Sequence, residues 1–273
     1  MIWESLDSQI PKFLNSRIPQ SPNNSMFDPI TKAEEVARIV IRGDERKYYR
    51  FRPARFYGGI ATADCVGCYL KCLFCWSWQE VVRPESVGEF FSPTEVARRL
   101  SSIARKRRFQ RVRISGNEPT IARQHLIKVM ELLAGRLAFI LETNGILIGH
   151  DRTYAEDLAR FPNLTVRVSL KATDEEEFSA LTGAARSGFA LQLKALEHLA
   201  EAGVPCYPAV MVSFSSGEKI EGLRRRLAEI SGDFADIEIE ELVLYRDVEE
   251  RLRKAGLRYH PAYHPEGIPR EQV

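Results

Sequence analysis

Four of the five cysteines lie between residues 65 and 75, in the segment DCVGCYLKCLFCWSW (64–78), with the spacing C-x2-C-x3-C-x2-C. In a reducing compartment, thiols so closely spaced are typical of metal or iron–sulfur ligands. If all four bind, the site is a closed zinc ion or a fully ligated iron–sulfur cluster, with a structural or electron-transfer role. If only Cys68, Cys72 and Cys75 bind, as C-x3-C-x2-C, a [4Fe–4S] cluster keeps one iron open to a substrate.

The position of this cysteine loop favours the open cluster. Cys65 stands at the predicted end of the first strand, whereas the other three cysteines share the loop that follows. Active sites of α/β repeat folds form at the carboxyl ends of strands, while zinc ribbons and knuckles belong mostly to hairpins. Phe74 supplies an aromatic ring where a nucleobase could pack. We therefore favour three ligands, with Cys65 packed in the core; a four-cysteine zinc or electron-transfer protein is the alternative.

The elements that must position the loop follow from hydrophobic periodicity and capping residues. Ser92, Pro93 and Glu95 have the pattern of an N-cap, a first helical position and a capping box, and predict a helix after the loop. Apolar strands alternate with amphipathic helices from there onward. The predicted strands lie at 111–115, 137–142, 164–170, 204–213 and 237–245.

Counted with the first strand, this alternation gives six β/α repeats, which predicts parallel strands joined by right-handed crossovers. Six repeats fall short of the eight of a complete TIM barrel, so we expect an α/β fold, either a partial (β/α)6 TIM-like barrel or a doubly wound sheet. We predict an N-terminal extension at 1–50 with an irregular lead-in, a core domain at 51–246, and a C-terminal extension at 247–273 that covers an edge or the mouth of the sheet.

Composition excludes little and points to no charged macromolecular partner. The net charge is +2 and 28% of residues are charged, which gives no global electrostatic reason for binding nucleic acid or an anionic membrane. The first residues lack the basic and apolar regions of a secretory signal, and no apolar run is long enough to cross a bilayer. We therefore expect a cytoplasmic protein without a membrane partner.

The C-x3-C-x2-C spacing, with Phe74 before the last cysteine and in the loop after the first of six β/α strands, resembles the radical S-adenosylmethionine (SAM) superfamily over about residues 55–245. The resemblance implies that the open iron chelates the amino and carboxylate groups of SAM. It further implies that the reduced cluster splits SAM to a 5′-deoxyadenosyl radical, which takes a hydrogen atom from a substrate. An electron donor such as ferredoxin or flavodoxin is implied as a partner.

Three further motifs carry the resemblance. SGNEP (115–119) resembles the G-G-E-P segment of the family, with Asn117 in place of the second glycine. ETNG (142–145) and VSLKAT (168–173) resemble the D-T-N-G and D-L-K segments of the glycyl-radical-enzyme (pyruvate formate-lyase) activating enzymes. The resemblance implies SAM contacts from Phe74, Gly116, Asn117, Glu118, Thr143, Asn144, Ser169 and Lys171.

Within this set, the resemblance gives two residues a charged role. Glu118 is expected to accept from the SAM ammonium group and Lys171 to face the SAM carboxylate, both favourable charge pairs. Glu142 and Ser169 stand where activating enzymes often have aspartates that also bind a monovalent cation, which argues against such a cation here. The motifs therefore support SAM binding more strongly than they support the activation of a partner protein.

The substrate stays open between two classes. Few cysteines lie outside the loop, so we expect no added cluster domain of the kind found in peptide-modifying branches of the superfamily. This leaves an activase-like enzyme that acts on a protein glycine, or a compact enzyme that modifies a nucleotide, an RNA or a small metabolite. Tyr245 is expected at the end of the sixth strand, in the adenine or substrate site or in the core, and Cys206 is expected to be a buried apolar residue.

Overall fold

The computed structural model describes residues 26–245 and 247–268, in which strands and helices alternate. The strands are β1 Ile41–Arg42, β2 Glu45–Ala54, β3 Ile60–Cys65, β4 Glu89–Phe91, β5 Arg111–Gly116, β6 Ala138–Thr143, β7 Leu164–Leu170, β8 Cys206–Met211, β9 Glu238–Glu240, β10 Leu242–Val243 and β11 Ala262–Tyr263. The α-helices are α1 Pro29–Val40, α2 Trp78–Val82, α3 Pro93–Arg107, α4 Arg123–Leu133, α5 Ile146–His150, α6 Arg152–Leu158, α7 Glu175–Thr182, α8 Ser187–Glu201, α9 Gly217–Ile230 and α10 Val248–Lys254.

The main sheet contains six parallel strands in chain order, β3, β5, β6, β7, β8 and β9. β2 extends it antiparallel to β3, and β1 and β4 pair with β2. The strand order is a path and not a ring, so the sheet is open. This confirms the predicted α/β fold with a partial, TIM-like barrel.

The helix α3 shows how local sequence sets these elements. Ser92 caps its first turn, since the Ser92 hydroxyl accepts from the backbone N–H of Glu95 at 3.3 Å, and Pro93 follows at the first helical position. The second half of the predicted capping box does not form. The Glu95 carboxylate instead binds Arg98 and Arg99, at 2.7 and 2.6 Å. Both arginines are charged and lie about one helical turn from Glu95. They therefore bind its carboxylate in preference to the backbone N–H of Ser92.

One predicted strand differs from the structure. The predicted strand 237–245 ends at Glu240, because the N–H of Leu242 donates to the Ser213 hydroxyl at 2.9 Å and no longer to the sheet. β10 then pairs in parallel with β11 outside the main sheet, so Tyr245 does not end the sixth strand. The predicted irregular lead-in spans residues 15–30. Its residues 15–25 lie outside the described residues, and α1 begins at Pro29.

The two faces of the parallel sheet have opposite character. Side chains that point to the surrounding helices are apolar and almost fully buried, among them Val112, Ile114, Leu141, Val166 and Val168. Burial of each such side chain contributes on the order of 1.5–3 kcal/mol, so this outer face holds most of the hydrophobic core. The inner face has only a small apolar floor, formed by Ala54, Ile60 and Ile140. The remaining inner positions are largely polar or charged.

Candidate functional site

The cysteine loop leaves the sheet at the carboxyl end of β3. Cys65 is the last residue of β3, is fully buried in the apolar core, and pairs with Gly116 on β5. Farther along, the N–H groups of Lys71 and Leu73 donate to carbonyls at the end of α7, at 3.1 and 2.9 Å. The loop is thus fixed both to the strand end and to a helix that is more than one hundred residues later in the chain.

Glycines allow the backbone of the loop to pack closely. Gly67 has φ +89°, and a Cβ at this position would lie 2.9 Å from both Val36 and Val40 of α1. Gly116 has φ +99°, and its Cβ would lie 3.0 Å from the Cα of Asp64. Side chains other than hydrogen are excluded at both positions, since the backbone conformation and the space forbid them.

The three predicted ligands, Cys68, Cys72 and Cys75, act on one another electrostatically. Burial raises the pKa of the Cys68 thiol well above its usual range, and Glu118, Cys72 and Cys75 raise it further. Burial also raises the pKa of Cys72, to about 12, against an opposing effect of Lys171. Thiols with such raised pKa values stay protonated when no metal is bound. Because metal ligation requires the thiolate, a cationic metal or cluster that binds them displaces the protons.

Cys65 stands apart from these three thiols. Burial raises its pKa to about 11, and the charges that act on it are those of Arg46, Glu118 and Asp64. Within the described residues, no three Cys, His, Asp or Glu side chains converge on a single-ion site. Cys65 thus differs from the other three cysteines in its place, since it ends β3 inside the apolar core.

Asn117 joins the two ends of the cysteine loop. Its Oδ1 accepts from the N–H of Gly67 at 2.6 Å, and its Nδ2 donates to the Ser77 hydroxyl at 2.5 Å. Ser77 Oγ in turn lies 3.9 Å from Cys75 Sγ. Because Ser77 Oγ accepts from Asn117, its own proton is free to point to the Cys75 sulfur. Asn117, which replaces the second glycine of G-G-E-P, thus links Gly67 at the start of the loop to Ser77 after its last cysteine.

Glu118 binds the neighbouring motif instead of facing open space. It is 1% exposed, and its Oε1 accepts from the Thr120 N–H and hydroxyl and from the Thr143 hydroxyl, at 3.1, 2.6 and 2.7 Å. Its Oε2 accepts from the Asn144 N–H at 2.8 Å. The donors are unevenly divided, since three bind Oε1, whereas Oε2 accepts from Asn144 and keeps acceptor capacity. Glu118 therefore holds the end of β6 in place.

Thr143 and Asn144 are both buried at the end of β6. The Thr143 hydroxyl is used by Glu118 and by the N–H of Gly145. The Asn144 Oδ1 accepts from the Tyr69 hydroxyl at 2.7 Å, which ties β6 to the cysteine loop. Asn144 Nδ2 is buried and has no hydrogen-bond partner among the described residues.

Ser169 and Lys171 lie at the end of β7, beside a residue that the sequence analysis did not select. The Lys171 ammonium group donates to the Ser169 hydroxyl, which donates to Glu240 on β9 at 2.9 Å. Burial opposes ionisation of Glu240, yet Arg167 and Lys171 hold its pKa at about 2. The Lys171 charge also opposes the rise in pKa that burial causes at Cys72 and Cys75.

Phe74, Tyr245 and Cys206 are all half-buried in the structure. Phe74 is half-buried and packs on Phe214, with ring centroids 5.6 Å apart. Tyr245 is half-buried and lies past the end of β9. Cys206 is half-buried at the start of β8, so the prediction that it is buried was wrong. The first position of a strand has fewer covering neighbours than its middle.

Arg251 is a site residue that no sequence motif indicates. It lies on α10, and its guanidinium group donates to the backbone oxygens of Leu73 and Cys75 at 3.1 and 2.6 Å. It also lies 4.7 Å over the Trp78 ring and pairs with Asp247 at 2.6 Å. The C-terminal segment thus contacts the cysteine loop, through hydrogen bonds between residues 176 and 178 positions apart in sequence.

The fold is an open α/β barrel, and a three-cysteine loop follows its first parallel strand. This combination is typical of a class of cofactor enzymes, and a comparison with protein-family models identifies the class. The Radical SAM superfamily model matches residues 64–227. The chain belongs to this superfamily, whose members use a [4Fe–4S] cluster and SAM. A comparison with curated proteins found no match.

Several solved structures share the fold of part of this chain. SuiB of Streptococcus suis bound to SAM is 23% identical with a TM-score of 0.50, and the match covers 65% of this chain and 39% of that one. SuiB bound to the precursor peptide SuiA is 19% identical with a TM-score of 0.51, covering 75% and 48%. The FeFe-hydrogenase maturase HydG of Carboxydothermus hydrogenoformans is 14% identical with a TM-score of 0.54, covering 72% and 49%. The chain thus matches less than half the length of each, and these likenesses show the fold.

The described residues suit the two cofactors. Three thiols in one loop act on one another's ionisation and supply the soft donors that iron–sulfur clusters require. The Lys171 charge reaches the same thiols, and Asn144 offers a buried amide donor without a partner in the described part of the chain. Within residues 26–245 and 247–268, no helix combines the length and apolarity needed to cross a membrane.

Proposed function

We propose that this protein is a radical SAM enzyme that holds its [4Fe–4S] cluster on Cys68, Cys72 and Cys75. The observation that carries the proposal is that these thiols share one loop at the carboxyl end of β3, while Cys65 is fully buried in the core. When bound, the reduced cluster supplies the electron that cleaves SAM to a 5′-deoxyadenosyl radical, which abstracts hydrogen from the substrate.

The chain's own residues bind and orient SAM across the strand ends. Lys171 is assigned to the carboxylate of SAM, because the VSLKAT motif places it at the end of β7, where its ammonium group donates to the Ser169 hydroxyl. Gly116 allows close approach of the backbone, since it carries no side chain at a crowded position. Asn144 Nδ2 and Phe74 provide an amide donor and an aromatic face, while Asn117, Glu118, Thr143 and Ser169 position these groups.

Electrons enter from a small electron-transfer protein such as a ferredoxin or flavodoxin. The loop is accessible at its tip, where Lys71 is exposed between the first two ligands. Trp76, which directly follows the third ligand, is 40% exposed. A donor that docks on this surface would come close to the cluster without entering the barrel.

Two substrate classes follow from different observations. The motifs ETNG and VSLKAT support an activase-like enzyme that acts on a partner protein. The charged inner face of the barrel supports a compact enzyme that acts on a nucleotide or other small polar metabolite. Glu142 is occupied by Arg113, Ser115 and Tyr57, which leaves it unsuited to the cation role of the activase aspartate.

Anaerobic reconstitution tests the proposed function. We expect about four iron atoms per chain, a brown protein, and 5′-deoxyadenosine when SAM and dithionite are added. Single Ala variants at Cys68, Cys72 or Cys75 should abolish the product, whereas Cys65→Ala should keep both cluster and product. A colourless protein with one zinc ion, or loss of the cluster in Cys65→Ala alone, contradicts the proposal.

A further inference from the structure

The inner face of the barrel carries a set of charged side chains on adjacent strands. Residues paired across neighbouring strands share a face, and Arg50 on β2 pairs with Asp64 on β3, which pairs with Ser115 on β5. One step deeper, Arg52 pairs with Thr62, and Thr62 with Arg113. A closed TIM barrel fills these positions with branched apolar residues. Here they form a polar wall.

Most charges on this wall are compensated. Arg113 forms an ion pair with Glu142 at 2.5 Å. Arg167 binds both Glu238 and Glu240, at 2.5 and 2.7 Å, and Lys171 acts on Glu240 as well. In both groups each cation has an acid of its own, so neither group offers excess charge to a ligand.

Arg50 and Arg52 are different, because two guanidinium groups share one carboxylate. The Nε atom of each binds the same oxygen, Asp64 Oδ2, at 2.7 and 2.8 Å. Asp64 is fully buried, and neither arginine forms a second ion pair within the described part of the chain. The other carboxylate oxygen, Oδ1, is buried without a hydrogen-bond partner among the described residues, so Asp64 does not grip either guanidinium group in the two-pronged geometry. The ion pairs at this place thus join two cations to one acid.

This arginine pair, Arg50 and Arg52, is accessible and lies beside the cysteine loop. The side chains are 42% and 25% exposed. The Arg50 guanidinium carbon lies 5.7 Å from the centre of the Trp76 ring, and Trp76 directly follows Cys75. Asp64, which holds both arginines, directly precedes Cys65. A ligand group held here is thus next to the proposed site of radical chemistry.

We propose that the arginine pair binds an oxyanion group of the substrate, a carboxylate or a phosphate. This inference rests on the proposed function and names the substrate class for it. Guanidinium groups match the planar oxygens of carboxylates and phosphates with paired hydrogen bonds, and partial burial strengthens the attraction. Asp64 presets both guanidinium groups, so little side-chain ordering remains when the anion binds.

Anion binding to the SAM-saturated, reconstituted enzyme tests the inference at low ionic strength. The probes are inorganic phosphate, followed by 31P NMR, and succinate, followed by 1H saturation transfer; the tighter probe identifies the chemical group. We expect Arg50→Gln to weaken binding of that probe at least tenfold, with Arg50→Lys weaker than wild type but tighter than Arg50→Gln. Arg98→Gln, which removes an exposed arginine of α3, should bind as wild type does.

Arg50→Gln leaves Arg52 on the buried Asp64, so the variant should fold, and circular dichroism checks this. A triple variant, R50Q/R52Q/D64N, removes the buried acid together with both cations and should also lose binding. Equal binding by wild type and Arg50→Gln, or no binding of either probe by wild type, overturns the inference. If wild type still forms 5′-deoxyadenosine in that case, only the substrate class fails; if it does not, the proposed function fails.

Discussion

Arg251 donates a hydrogen bond to the backbone oxygen of Cys75 at 2.6 Å and so joins α10 to the cysteine loop. A second hydrogen bond from the same guanidinium group reaches Leu73 at 3.1 Å. One acceptor is the backbone of Cys75, a predicted ligand, and the other, Leu73, directly follows the predicted ligand Cys72. The C-terminal segment therefore helps to fix the backbone of the cysteine loop.

We expect Arg251→Ala to destabilise the fold by about 2 kcal/mol, since hydrogen bonds from a charged donor contribute roughly 1.5–3 kcal/mol each and part is recovered by water. Urea unfolding of the apoprotein measures the loss. Arg253→Ala, an exposed neighbour on the same helix, is the matched control and should change stability little. Equal stability of the two variants would show that the contacts to Leu73 and Cys75 contribute nothing.

Asn117→Ala should loosen the cysteine loop without removing a ligand. The change breaks the hydrogen bonds to Gly67 and Ser77 that bracket the loop. Loss of residues that orient metal ligands typically costs about tenfold to a hundredfold in affinity, so iron should leave to a chelator faster by a similar factor. Asn163→Ala, which removes an amide that binds Leu137 far from the loop, should release iron at the wild-type rate.

Ser77→Ala should shift the cluster potential. The Ser77 hydroxyl lies 3.9 Å from Cys75 Sγ and is set by Asn117 to donate to it. A hydrogen bond to a ligand sulfur stabilises the reduced, more negative cluster, so its loss should lower the reduction potential. Redox titration followed by electron paramagnetic resonance measures the shift. An unchanged or raised potential would contradict this role, and Ser77→Thr, which keeps the hydroxyl, should restore the wild-type value.

Glu240→Gln should flatten the acid limb of the stability profile. The folded-state pKa of Glu240 is about 2, below its ordinary 4.5, because Arg167 and Lys171 outweigh the effect of burial. A depressed carboxyl pKa contributes stability above the unfolded value, and that stability is lost as pH falls from about 4.5 to 2.

For this shift the contribution is on the order of 3 kcal/mol at neutral pH. Urea unfolding between pH 2 and 7 should therefore show a shallower fall for Glu240→Gln than for wild type. Glu34→Gln, an exposed change on α1, should keep the wild-type slope. A parallel fall for all three proteins would remove Glu240 from the acid-sensitive network.

The sequence predicted the β/α alternation and the cysteine loop because both are local patterns. It did not reveal Glu240 or Arg251, whose partners lie about 70 or more residues away and carry no spacing signal. It also did not reveal that Thr120, Thr143 and Asn144 donate to the Glu118 carboxylate, whose contact with SAM stays a prediction. Local motifs identify residue types, but the packed fold decides which groups remain free for a ligand.

The sheet that does not close has a consequence for what can enter. Along residues 49–54 of β2 and along β9, the outer edges have no strand partner in the described part of the chain. A closed eight-stranded barrel admits ligands only through its ends, and its internal diameter limits the width of those ligands. The open sheet leaves a gap between β2 and β9 along the side of the barrel, so the number of strands does not set the width of a molecule that can reach its inner face.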